Sequence, residues 1–222
     1  MDEVKIIEVK QGVFEENHKD AEKLRKQLKS EKTFLLNLMS SPGAGKTTTL
    51  LALAKEFSGK ISWSVMEADI DSAVDAETMQ KAGVPTIQIH TGGMCHLDAW
   101  MTKQGLEELE TKNTDLVILE NVGNLVCPAE FDTGACKNMT ILSVPEGHDK
   151  PLKYPLMYEI CDLLVINKID VMEYFDFDKE KVVEYAKMRN PKIEIIFISA
   201  KTGEGIKELS EWILSNVNEW NK

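Results

Sequence analysis

Phe34-Leu35-Leu36-Asn37-Leu38-Met39-Ser40-Ser41-Pro42-Gly43-Ala44-Gly45-Lys46-Thr47-Thr48 decides the fold. Its first six residues are almost wholly apolar, as in a strand buried on both faces. Pro42-Gly43-Ala44-Gly45 lets the backbone curl with its N–H groups turned inward, and helix formers follow Lys46. The order strand, glycine-rich loop, lysine, hydroxyl, helix matches the phosphate-loop pattern G-x-x-x-x-G-K-[ST], with Ser40 in place of the first glycine. Lys46 is then placed to neutralise β- and γ-phosphates and the Thr47 hydroxyl to ligate Mg²⁺, with Thr48 bordering the nucleotide. A glycine-rich turn that merely precedes a helix would not need the lysine.

Outward from this loop, apolar run, loop and helix repeat. Further strands are expected at Ile61 to Met66, Thr86 to Ile89, Leu116 to Leu119, Met139 to Val144, Leu163 to Ile166 and Ile195 to Ile198. Ile206, Leu209, Ile213, Val217 and Trp220 share a helical face at the end of the chain. Strands alternating with helices predict an α/β fold, a mainly parallel sheet covered by helices on both faces. Ligands of such sheets bind at the carboxyl ends of the strands, where every motif here falls. Ahead of the repeat, Val4 to Val9 reads as an extended arm, and Phe14, Ala21, Leu24 and Leu28 as a packed helix. Residues 1–32 are thus an arm and helix on a phosphate-loop domain spanning 33–222, which carries a built-in metal site.

Asn167-Lys168-Ile169-Asp170 follows one predicted strand and Ser199-Ala200-Lys201 the next. The Asp170 carboxylate can accept from guanine N1–H and the exocyclic amine, a donor pair adenine lacks. With the phosphate loop, Asn167, Lys168, Asp170, Ser199, Ala200 and Lys201 define a GTP/GDP site.

The middle of the chain holds acids and soft donors. Glu120-Asn121-Val122-Gly123 ends a strand where an acid near Mg²⁺ and a glycine near the γ-phosphate are expected. Asp69 ends the preceding long strand, and Asp75 lies farther along. Thr47, Asp69, Asp75 and Glu120 are the Mg²⁺ candidates, and Lys46, Asp69 and Glu120 the catalytic ones; a loop end and a helix cap are the alternative roles of Asp69 and Asp75. Cys95-His96 stands in a glycine-rich loop, and Cys127 follows Gly123 by four residues. Two thiols and an imidazole suit Ni²⁺ or Zn²⁺, with core packing as the alternative.

The net charge of −11 and pI near 4.9 argue against a nucleic-acid partner or an anionic membrane surface. No apolar run reaches the roughly 20 residues that span a bilayer, and the acidic start is unlike a signal peptide. A cytoplasmic location follows. Four scattered cysteines do not make a disulfide framework.

Gly92-Gly93-Met94-Cys95-His96-Leu97-Asp98-Ala99, Glu120 to Pro128, Glu146 to Pro155 and Asn167 to Asp170 resemble the nickel-inserting GTPases of [NiFe]-hydrogenase maturation, the HypB family. The resemblance runs from about Phe14 onward. It implies a GTPase of the signal-recognition/MinD (SIMIBI) class, with a nucleotide-dependent homodimer. A maturation partner and the hydrogenase large subunit are implied as further partners. It places the Ni²⁺ or Zn²⁺ site on Cys95, His96 and Cys127, Mg²⁺ and switch acids on Asp69, Asp75 and Glu120, and Lys150 and Lys153 near the dimer face. Some members begin with a cysteine-rich nickel-binding peptide or carry a histidine-rich stretch; no cysteine precedes Cys95 here and His18 is the one histidine before the phosphate loop, so high-affinity N-terminal binding and nickel storage are not expected. Ala68 stands where a glycine often precedes the Asp69-type acid. A urease-accessory GTPase of the UreG type would carry a proline between cysteine and histidine, which Cys95-His96 lacks. A carrier that uses GTP only structurally would release no phosphate from it.

Overall fold

The computed structural model of the chain describes residues 9–69, 74–109 and 114–222. Seven parallel strands form one sheet in the order β3-β2-β4-β1-β5-β6-β7. Helix α1 (Val9–Glu31) precedes β1 (Phe34–Ser40) and α2 (Lys46–Phe57). β2 (Trp63–Asp69), α3 (Val74–Lys81), β3 (Thr86–His90), α4 (Ala99–Glu108) and β4 (Leu116–Glu120) build one wing. The short α5 (Cys127–Glu130) leads to β5 (Lys137–Ser143), then α6 (Lys150–Lys153), α7 (Pro155–Ile160), β6 (Leu163–Asn167), α8 (Lys179–Arg189), β7 (Glu194–Phe197) and α9 (Ile206–Trp220).

Each of the seven expected strands is present, with ends that coincide or shift by up to three residues. Polar Asp69, Glu120 and Asn167 extend β2, β4 and β6, while apolar Ile61, Val144 and Ile198 fall outside their strands, because the ladder, not hydrophobicity, fixes where pairing stops. The α1 helix opens at Val9, the last residue of the expected extended arm; the rest of that arm lies outside the described residues.

β1 is buried at every position, as a central parallel strand must be, with β4 on one side and β5 on the other. Its even-numbered residues Leu36 and Leu38 pack with Leu50, Leu53 and Phe57 of α2 and with Ile206, Leu209, Ile213 and Val217 of α9. Leu35 faces the opposite layer, beside Leu24 and Leu28 of α1 and Leu106 of α4. Each such side chain stabilises the fold by about 1.5–3 kcal/mol through burial. Asn138, Asn37 and Asn121 form a hydrogen-bonded ladder across β5, β1 and the end of β4, at 3.0 and 3.2 Å. It satisfies buried amides beneath the phosphate loop, which a plain apolar layer could not orient. Among the described residues no helix is long and apolar enough to cross a membrane.

Candidate nucleotide and metal site

The phosphate loop leaves β1 at the centre of the sheet and enters α2 through Gly45, whose φ of 102° is left-handed. A β-carbon there would collide with the Asn167 amide, so glycine is required by space as well as by dihedral angle. Asn167 Nδ2 donates to Ala44 O at 2.9 Å, and Lys168 Nζ donates to Gly43 O at 2.7 Å. The Asn167-Lys168 segment therefore braces the phosphate loop. Asn167 Oδ1 accepts from Lys168 N and from Ala200 N, at 2.7 and 3.1 Å, joining the loops after β6 and β7. Ser199 Oγ donates to Asp170 Oδ1 at 2.7 Å and fixes the carboxylate. Lys201 and Thr48 are exposed, and Thr47 is half-buried beside Lys46. Ser41 Oγ donates to Glu146, whose other oxygen closes a capping box with Ser143.

Beside the loop opens a cleft of about 310 Å³ lined by Lys46, Asp69, Asp75 and Glu120, among others. Lys46 Nζ lies 3.7 Å from Glu120 Oε1 and donates to Ser40 Oγ at 3.2 Å. The serine that replaces the first loop glycine thus orients the lysine.

Glu67 and Gln88, absent from the sequence-based site, line the same cleft. Register explains it: Gln88, Glu67 and Glu120 are directly paired across β3, β2 and β4 and share one face. Gln88 Nε2, Glu67 Oε1 and Glu120 Oε2 are buried and lack a hydrogen-bond partner among the described residues. Burial raises the Glu120 pKa despite the nearby Lys46 charge. Burial, then the Glu120 carboxyl, push Glu67 up to about 10. The Asp75 charge acts on both glutamates, although α3 leaves Asp75 itself exposed. Orphaned carboxyl oxygens beside the lysine are suited to a hydrated divalent cation such as Mg²⁺. One sign in the sequence was available: a glutamate inside a buried strand, two residues before Asp69 and so on the same face.

Glu67 carries a stability cost that can be measured. Above its ordinary value of 4.5 and below about 10, the folded chain keeps a proton that the unfolded chain releases. Stability is therefore fully present below the lower value and falls as pH rises toward the upper one. In the absence of nucleotide, Glu67→Gln should raise stability at pH 8 by about 1–3 kcal/mol and flatten its decline between pH 6 and 8. Urea unfolding at both pH values tests this; an unchanged slope would refute the buried proton.

The soft donors occupy the next loops outward. Gly92 and Gly93, both at positive φ, turn the chain after β3, and Thr91 closes the turn through Met94. Leu97 plugs the core and Asp98 caps α4 by accepting from Met101 N at 2.8 Å, which leaves Cys95 and His96 half-buried at the surface. Cys127 opens α5. Its thiol is close enough to share a hydrogen bond with Cys95, which pushes the Cys95 pKa up. The His96 Nδ1 lies 3.9 Å from Cys95 Sγ. Burial lowers the His96 pKa and so favours the neutral, metal-binding imidazole. The His96 ring lies flat on Phe131, with centroids 3.7 Å apart and planes 12° apart. Among the described residues no three His, Cys, Asp or Glu side chains converge as a ready cation site. Two thiols are together; the imidazole is adjacent and stacked. Cys161 is buried in the core, and burial pushes Cys136 up to about 12, so neither is a ligand candidate. Lys150 lies over the Tyr154 ring and Lys153 pairs with Asp149 at 2.6 Å.

One contact joins the two sites. A β-carbon on Gly123 would come within 3.1 Å of Pro42 Cγ, so this glycine lets the segment after β4 pack against the phosphate loop. Four residues later comes Cys127.

The chain matches the family described as CobW/HypB/UreG, nucleotide-binding domain, over residues 33–197. Its fold and site define a phosphate-loop nucleotide-binding protein of the SIMIBI class. Within that class the chain belongs to the HypB family. It is 41% identical over 213 residues to the hydrogenase maturation factor HypB of Escherichia coli (strain K12), covering 96% of this chain and 73% of that protein. The crystal structure of HypB from Helicobacter pylori in complex with nickel superposes with a TM-score of 0.87 at 37% identity, covering 92% of this chain and 96% of that one. The signal recognition particle 54 kDa protein from Aeropyrum pernix, in complex with GDP, shares the fold alone, with a TM-score of 0.57 at 12% identity, over 84% of this chain and 49% of that one.

Proposed function

We propose that the protein is a GTP-hydrolysing metallochaperone that binds Ni²⁺ (or Zn²⁺) and assists nickel insertion during [NiFe]-hydrogenase maturation. The nucleotide state controls both its dimerisation and release of the metal. The contact between Gly123 and Pro42 carries this reading, because it places the phosphate loop against the segment that leads to Cys127.

In the proposed cycle the loop N–H groups and Lys46 hold the β- and γ-phosphates, and Asp170 with Ser199 selects guanine. Thr47, Asp69, Asp75 and Glu120 are the residues that would hold Mg²⁺, which when bound neutralises phosphate charge. The chemistry is phosphoryl transfer to water, promoted by positioning and charge rather than by a covalent intermediate. Loss of the γ-phosphate frees the Glu120–Gly123 segment, and the short tether moves Cys127 relative to Cys95 and His96. Ni²⁺ accepts tetragonal N/S geometry and Zn²⁺ prefers tetrahedral, so such a shift changes how each is held. In the GTP-bound homodimer the ligands of two subunits approach one another, and Lys150 and Lys153 lie near the shared face. The acceptors are a maturation partner and the hydrogenase large subunit.

Ni²⁺ and Zn²⁺ affinity and stoichiometry, measured with GDP and with a non-hydrolysable GTP analogue, test the coupling. Affinity should differ between nucleotide states, and Cys127→Ala should weaken metal binding at least about tenfold while leaving GTP affinity intact. Identical metal binding in both states would reduce the two sites to mere neighbours.

A further inference from the structure

The N-terminal helix α1 reaches both segments that carry the soft donors. Asn17 Oδ1 accepts from Ala99 N at 2.9 Å, and Asn17 Nδ2 donates to Asp132 O at 2.9 Å. Ala99 opens α4 three residues after His96, and Asp132 lies just past α5, which Cys127 opens. One amide side chain thus ties together two segments that are remote in sequence. Only a side chain with both a donor and an acceptor can make this bracket: aspartate lacks the donor and alanine lacks both.

A second, aromatic link runs in parallel. Phe14 of α1 packs on Phe131 with centroids 5.0 Å apart, and Phe131 also carries the stacked His96 ring. Arg25 holds the same segment with two bonds to the Asp132 carboxylate, at 2.8 and 2.6 Å. Among the described residues, those lining the cleft beside Lys46 include none from α1. The bracket therefore serves the loops that bear the thiols and imidazole, not the phosphates.

We propose that α1 positions the metal site: Asn17 sets the spacing between the Cys95-His96 loop and the Cys127 turn, and Phe131 sets the plane of the His96 ring. This rests on Cys95, His96 and Cys127 being the ligands. Metal–sulfur and metal–nitrogen bonds tolerate little change in length, so displacing the supporting groups alters coordination even when every ligand remains.

The test uses the full chain with GDP bound, titrated with Co²⁺ and with Ni²⁺. Thiolate charge-transfer and ligand-field bands of Co²⁺ report the number and geometry of the ligands. Asn17→Asp keeps the bond from Ala99 N and loses the bond to Asp132 O; Phe131→Leu keeps apolar volume and loses the flat stack. Each should weaken metal binding about tenfold and shift the Co²⁺ bands. GDP affinity should stay within about twofold, which also shows that the variants fold, as none of the described α1 residues lines the cleft. Wild-type affinity and bands in both variants would overturn the proposal. Cys127→Ala, run alongside, separates the failures: unchanged Co²⁺ binding there would show that the ligand assignment itself is wrong.

Discussion

Lys46→Ala is expected to cut GTP turnover by at least about a hundredfold, the loss typical when one positioned donor to developing charge is removed. The lysine side chain is only 12% exposed, and Glu120 Oε1 and Ser40 Oγ hold its ammonium in place before any nucleotide arrives. Its ordering is thus complete in the free chain, so its removal takes away charge that needs no rearrangement to act. The truncation also leaves the Glu120 carboxyl buried without its cation, and burial already raises that pKa. The first consequence, the lost positive charge, opposes the binding of a highly charged triphosphate; the second favours a protonated Glu120. Phosphate release in single turnover measures the effect, with urea unfolding in the absence of nucleotide as the control for folding. Turnover within about tenfold of wild type would remove Lys46 from the chemistry.

Asp170→Asn is expected to move nucleotide preference from guanine to xanthine, with a combined change on the order of ten-thousandfold in the ratio of affinities. Ser199 Oγ donates to one carboxylate oxygen at 2.7 Å. In the variant the amide oxygen keeps that bond, which turns the amide nitrogen to the position of the other oxygen. A donor then faces the 2-position of the base, repelling the guanine amine and pairing with the 2-oxo group of xanthine. The surrounding braces from Asn167 to Ala44 O and Ala200 N do not involve Asp170, so the phosphate loop should stay formed. Competition between GTP and xanthosine triphosphate for the purified chain decides the matter. A retained guanine preference would place the base elsewhere.

The sequence carried much of this chain's reading because its informative residues are local. A phosphate loop needs strand, glycine turn, lysine and helix in consecutive order, so residues 34–48 suffice to read it. The parallel sheet was legible because strands buried on both faces are short unbroken apolar runs, and seven of them alternate with helices. Segment ends were less legible, since a strand stops where its ladder stops. The N-terminal helix was readable from Leu24 and Leu28, whereas its reach to the loops that carry Cys95, His96 and Cys127 was not.

What the linear chain could not contain was lateral juxtaposition. Glu67 and Gln88 join the cleft only because β2 lies between β3 and β4 in a register that lines up Gln88, Glu67 and Glu120. A shift of one residue would send Glu67 to the opposite face. Asn17 and Phe131 belong to no motif, and they meet Ala99 and His96 through packing between α1 and the loops around α4 and α5. The sequence by itself determined the chemistry available, a phosphate-binding loop and a set of soft donors. Only the tertiary structure decided which groups share a surface, because strand order and helix packing bring together residues that no spacing along the chain relates.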